Sequence, residues 1–147
     1  GTAPTPGSGL IQACTFEGNR AVGGTTPTAT VGKGGALLLQ FATVSVIGCV
    51  FFNNSAHPPF TASAGAAGGA VAIFGAAGIV PGSPTFTNCL FLQNYAAGSL
   101  NPGEGAQGGA ITVQVEIPHF TDCVFRSNVA GGSTTGGAGT GGAIFIS

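Results

Sequence analysis

Charge is what this sequence has least of. Only 5% of its 147 residues are charged, three basic and four acidic, and the net charge is -1. A typical soluble domain devotes about a quarter of its residues to charge. Three cations build no basic patch, and phosphate neutralisation is what drives nucleic-acid binding, so nucleic acid is excluded as a partner. Met and Trp are missing altogether. No stretch carries a 3.6-residue apolar period, and the 28 glycines would oppose helix anyway. The longest apolar run, ALLLQFATVSVIGCVFF at residues 36–52, is interrupted by Gln40, Thr43, Ser45 and Gly48 and is rich in β-branched residues. It reads as strands, not as a membrane-spanning helix. The opening GTAPTPGSG lacks signal-peptide character, so a mature or excised segment is expected.

What the chain has instead is repetition. CTFEGNRA, CVFFNNSA, CLFLQNYA and CVFRSNVA begin at Cys14, Cys49, Cys89 and Cys123, each with Phe two, Asn five and Ala seven residues on. A second element, GGA followed by an apolar strand, begins at Gly34, Gly68, Gly108 and Gly141. Within it, Leu37/Leu39, Val71/Ile73, Ile111/Val113 and Ile144/Ile146 sit two apart, so each pair points to one face of a strand. Three residues before each Cys stand Ile11, Val46, Phe86 and Phe120, with a turn at Ala13, Gly48, Asn88 or Asp122. About three short strands per repeat are expected.

Repeats of this size that cannot bury their apolar residues alone stack into a solenoid. The predicted fold is an all-β parallel β-helix of about four coils, with longer Thr/Gly/Pro-rich loops on one side. Coils about 4.8 Å apart would set like upon like. Cys14, Cys49, Cys89 and Cys123 form one expected ladder, Phe16, Phe51, Phe91 and Phe125 a second, and Asn19, Asn54, Asn94 and Asn128 a third. The Asn ladder is expected at a sharp turn, its amides bonding to the next coil. Gly-Gly before Ala is expected at a corner where a Cβ would clash.

The paired GGA-[ILV] and F-x-x-N motifs, here Phe16 to Asn19, Phe51 to Asn54, Phe91 to Asn94 and Phe125 to Asn128, resemble the repeats of chlamydial polymorphic outer membrane proteins, within the pectin-lyase-like β-helix superfamily. The resemblance covers nearly the whole chain. It implies a right-handed coil and a secreted or surface-displayed passenger used in adhesion.

Successive GGA motifs lie 34, 40 and 33 residues apart. A copy following Ser147 would place its own Gly34 40 residues beyond Gly141, six to Ser147 and 34 more. Short and long gaps thus alternate, and residues 1–74 align with 75–147 as two two-coil units in a single β-helix segment. Pro6-Gly7-Ser8 matches Pro81-Gly82-Ser83, and Gln40 matches Gln114. Neither end resembles the polar cap that closes an isolated solenoid. Covalent tandem continuation and head-to-tail stacking both lead to a filament.

Four stacked cysteines allow two disulfides, Cys14-Cys49 and Cys89-Cys123, because the coil spacing lies within Cα range. They equally allow free thiols as small core fillers, which parallel Cβ vectors favour. A line of cysteines is a poor metal tetrahedron, so no metal or cofactor is expected. Polysaccharide-cleaving β-helices need clustered carboxylates or a carboxylate beside Arg or Lys. Glu17, Glu104, Glu116 and Asp122 fall in different coils or offsets, as do Arg20, Lys33 and Arg126. His57 and His119 have no repeat partner. No active site assembles, and the chain is not expected to be an enzyme.

Thr25, Thr26, Thr28, Thr30, Thr134 and Thr135 lie in loops of the composition that carries O-linked sugar. Asn53 heads the one N-x-[ST] sequon. A covalent glycan coat would solubilise a surface with so little charge. The outward positions Leu38, Phe74, Phe145, Val50, Leu90 and Val124 are expected to form apolar stripes. The expected function is a structural unit of an extracellular or cell-surface filament whose partner is itself. The alternatives are an adhesin passenger that binds a surface or glycan and, third, a polysaccharide-acting enzyme. Ice binding would want a regular Thr array, whereas Thr concentrates here in the loops.

Overall fold

The computed structural model describes residues 6–24, 31–58, 65–75, 81–99, 105–132 and 137–147. Strands form in short runs because each run of β-branched or aromatic residues is cut by a residue with positive φ. The first coil holds β1 (Gly7–Gln12), β2 (Thr15–Glu17), β3 (Arg20–Val22) and β4 (Leu37–Gln40). The second holds β5 (Ala42–Ile47), β6 (Val50–Phe52), β7 (Ser55–His57) and β8 (Val71–Phe74). The third holds β9 (Thr85–Thr87), β10 (Leu90–Leu92), β11 (Tyr95–Ala96) and β12 (Ile111–Gln114). The fourth holds β13 (His119–Thr121), β14 (Val124–Arg126), β15 (Val129–Ala130) and β16 (Ile144–Ile146).

Equivalent strands of successive coils pair in parallel, giving the sheets β1-β5-β9-β13, β2-β6-β10-β14, β3-β7-β11-β15 and β4-β8-β12-β16. The chain is a parallel β-helix of four coils. Each coil has four strands, not about three. The extra strand is the β3 type, which the alternating pattern hides because it is only two or three residues long and turns a single Ala inward. Lys33, Ala67, Gln107 and Thr140 add a fifth column of isolated bridges.

Corners are set by backbone angle. Ala13, Gly48, Asn88 and Asp122 have φ of 51–60° between the first and second strands of their coils, at the turn read from the sequence. Gly18, Asn53, Gln93 and Ser127 (φ 53–64°) turn the second strand into the third. Gly34, Gly68, Gly108 and Gly141 (φ 60–64°) lead into the GGA strand. A Cβ on Gly34 or Gly68 would strike the carbonyl of Leu37 or Val71, which is why a glycine stands at this corner in every coil.

The fourth corner differs between coils. After the first and third it is one residue, Phe41 (φ 51°) or Val115 (φ 65°). After the second, six residues more separate Phe74 from Gly82 than separate Gln40 from Ala42. This is the source of the alternating spacing: Thr15 pairs Val50, Val50 pairs Leu90 and Leu90 pairs Val124, steps of 35, 40 and 34 residues.

Leu39, Val46, Phe51, Ile73, Phe86, Phe91, Ile111 and Val113 fill the lumen and are 0–6% exposed. Their counterparts in the first and last coils, Ile11, Phe16, Leu37, Phe120, Phe125 and Ile144, are only partly buried. Stacking is therefore what buries each rung. Between the third strands and the bridge column the chain leaves and returns at one position. Gly23 and Gly32 both donate to the His57 carbonyl, Ala66 donates to Ala97 and Ala106 to Gly131. The described residues that flank the four long loops thus lie on the same side of the coil. No helix among the described residues is long and apolar enough to cross a membrane.

Outside the lumen, the expected stripes are uneven. Leu38 and Val124 are exposed, at 50% and 55%. Val50, Leu90 and Phe145 are half-buried. Phe74 is buried, at 8% exposure. It packs with Ala67 and Ala72 in a second cluster, beneath the Lys33 Nζ at 4.1 Å from its ring centroid.

Candidate functional site

The three ladders are the most ordered constellation in the molecule. Phe16, Phe51, Phe91 and Phe125 stack with ring centroids 4.8, 4.7 and 4.7 Å apart and interplanar angles of 5, 3 and 4°. Phe86 and Phe120 stack beside them at 5.2 Å and meet Phe91 and Phe125 edge to face at 5.9 Å. Parallel pairing in register imposes the face-to-face geometry.

Each internal residue of the Asn ladder joins three chain segments. Asn54 donates from its amide N and from Nδ2 to Oδ1 of Asn94, both at 3.0 Å, and its Nδ2 also reaches the Phe16 carbonyl at 2.9 Å. Asn94 repeats this toward Asn128 and Phe51, and Asn19 gives both its donors to Asn54. Asn54 and Asn94 are fully buried. These side chains point inward, and the left-handed angle expected of them belongs instead to the preceding residue, Gly18, Asn53, Gln93 or Ser127. The unusual backbone and the amide ladder are divided between two neighbours.

All four cysteines are free, which corrects the Cys14-Cys49 and Cys89-Cys123 disulfide option. The thiols donate to carbonyls instead: Cys14 to Gln12, Cys49 to Ile47, Cys89 to Thr87 and Val46, Cys123 to Thr121 and Phe86, at 3.2–3.5 Å. Stacked Cβ vectors run parallel, so each sulfur faces backbone and not its neighbour. Burial pushes the Cys89 thiol above its ordinary value. No group of three or more metal-ligating side chains assembles among the described residues.

Ionisable groups are dispersed around the coil. Glu17, Phe52, Leu92 and Arg126 form one outward column, so the acid and the base occupy opposite ends of it. Arg20 shares a column with Ser55, Tyr95 and Val129. Among the described residues no ion pair forms. His57 meets Tyr95 edge to face at 6.1 Å, and burial, then the Arg20 guanidinium, lowers its pKa. A shallow groove of about 230 Å³ is lined by Lys33, Leu38, Gln40, Phe74 and Gly75, without a carboxylate. Asn53 is exposed at its corner. Thr25, Thr26, Thr28, Thr30, Thr134, Thr135 and Glu104 lie outside the described residues.

One residue stands apart from what the sequence conveys. Glu116 is only 7% exposed, and neither carboxylate oxygen makes a hydrogen bond. Burial raises its pKa, an effect that the amides of Gly82 and Phe41 partly offset without closing a bond of good geometry. It occupies the column position of Gly7, Ala42 and Gly82, extrapolating the pairing of β13 with β9 and of β5 with β1 and β9. A Cβ built on Gly75 would lie 3.0 Å from Glu116 Oε1, so the carboxylate sits at the corner between Gly75 and Gly82, a placement that emerges only once the register is known.

No protein-family model, curated protein or solved structure matches the chain.

Proposed function

We propose that this chain is a structural repeat unit of an extracellular or cell-surface filament, built by end-to-end continuation of the β-helix. The observation that carries the proposal is the contrast between rungs. Phe51 and Phe91 are fully buried while Phe16 and Phe125, chemically the same rung, are not. Fully burying a Phe side chain is worth roughly 1.5–3 kcal/mol, and each open end repeats the deficit at Ile11 and Leu37 or at Phe120 and Ile144. A coil of the same sequence restores the missing neighbour for every one of them. The alternating corner lengths support the same conclusion, since residues 1–6 of a following copy would supply a long corner after Ser147, as residues 75–81 do after Phe74.

Covalent glycan on the one-sided loops and at Asn53, and export to the cell surface, belong to this proposal as the hydrophilic coat that a chain with 5% charge requires. The unit works by assembly and performs no catalysis. A second function, adhesion, draws support from the Thr/Gly/Pro-rich composition of the loops and from their described flanking residues, which lie on one side of the coil. Sedimentation velocity of the purified 147-residue chain across a concentration series tests the two. Open-ended, concentration-dependent growth supports the filament. One discrete species at every concentration contradicts it and favours the adhesin.

A further inference from the structure

Seven charges are few enough that the place of each can be followed through the stack. Four occupy the first and last coils at described, outward positions near the stacked Asn turn or its neighbouring corner: Glu17 and Arg20 in the first, Asp122 and Arg126 in the last. Of these, Glu17 and Arg126 share a column, with the uncharged Phe52 and Leu92 between them. Both are exposed, and among the described residues neither forms an ion pair.

We infer that Arg126 and Glu17 form the junction between successive copies of this chain, an ion pair that sets the polarity and register of head-to-tail assembly. The inference rests on the filament proposed above. Extending the coil-to-coil pairing by one step sets Val124 on Thr15, Phe125 on Phe16 and Arg126 on Glu17 of the next copy. Rungs about 4.8 Å apart put the guanidinium and carboxylate within ion-pair reach. The same step sets Asp122 on Ala13, Val129 on Arg20 and Thr140 on Lys33, so no like charges coincide. Head-to-head or tail-to-tail contact would instead make the strands at the junction antiparallel and lose the parallel register that pairs every coil with the next.

The amide ladder gives the junction the same direction. Asn128 accepts from Asn94 and donates its Nδ2 to Phe91, but among the described residues its own amide N has no acceptor and the Phe125 carbonyl no donor. At the other end Asn19 donates to Asn54, and its Oδ1 receives nothing. Asn128 N–H to Asn19 Oδ1, and Asn19 Nδ2 to Phe125 C=O, repeat the bonds seen between every internal pair of coils. The two ends are unlike each other and complementary.

The test is a pelleting assay of the 147-residue chain and of E17R, R126E and the E17R/R126E double variant, at low and high NaCl. Circular dichroism checks that each folds, as exposed sites should allow. We expect either single reversal to raise the critical concentration on the order of fivefold at low salt, with the gap narrowing as salt screens it. The double variant is expected to return to within about twofold of wild type, because the pair is re-formed with its charges exchanged. Single variants that assemble like wild type, or a double no better than the singles, overturn the ion pair and leave the filament standing. A wild-type chain that stays monomeric overturns the filament, and the pairing with it.

Discussion

Asn94 holds its neighbours through six hydrogen bonds, three donated and three accepted, at a site with no access to water. Replacing it by Ala strands the Asn54 amide N–H and takes one acceptor from the Asn54 Nδ2, and each orphaned buried donor costs on the order of 1–3 kcal/mol. Asn94→Ala should therefore lose about 3 kcal/mol in chemical denaturation, whereas Asn19→Ala, exposed and with an idle Oδ1, should lose less than about 1 kcal/mol. Equal losses at the two sites would contradict the ladder.

Glu116 gives the stability a pH dependence of known sign. Its folded pKa is raised above the ordinary 4.5, so its protonated form is the one the fold favours. Stability from this group is full below that ordinary value and is lost as pH rises through the raised one. Denaturation midpoints should fall over that interval for wild type and stay level for Glu116→Gln. The cysteines differ by place: Cys14 should react quickly with a thiol reagent, and Cys49 and Cys89 only after unfolding. Denatured without reductant, the chain should take up four labels; two or fewer would restore the disulfides.

At the scale of the element, corners matter more than strands. Gly68 combines φ +64° with a Cβ position blocked by the Val71 carbonyl, and Gly68→Ala should abolish folding or cost well above the ~1 kcal/mol of a strained backbone alone. Gly18 has the same φ but open space around it, and Asn53, Gln93 and Ser127 hold its place in other coils. Gly18→Asn should change stability by less than about 0.5 kcal/mol. The strands themselves were legible where alternation runs long enough, as in Leu37/Leu39 and Ile111/Val113. The β3 type was not, because Ala21, Ala56, Ala96 and Ala130 each supply one inward methyl and no pattern. Phe74 follows the same logic: periodicity tells which face its side chain takes, and Lys33 and Ala67 decide that this face is covered.

At the scale of the molecule, the Cys, Phe and Asn registers were written in the sequence spacing, because parallel stacking converts equal offsets into contact. The burial of Glu116 was not, since it depends on which small residues lie above it. The same stacking leaves the first and last coils short of neighbours, which in the proposed filament a further copy supplies. Electron microscopy of the assembled material, with its averaged power spectrum, tests this most directly. Filaments with a meridional spacing near 4.8 Å and an axial repeat of roughly 19 Å, four coils to each chain, are the predicted result. Discrete capped particles, or filaments whose axial repeat is not a multiple of the coil spacing, would contradict it.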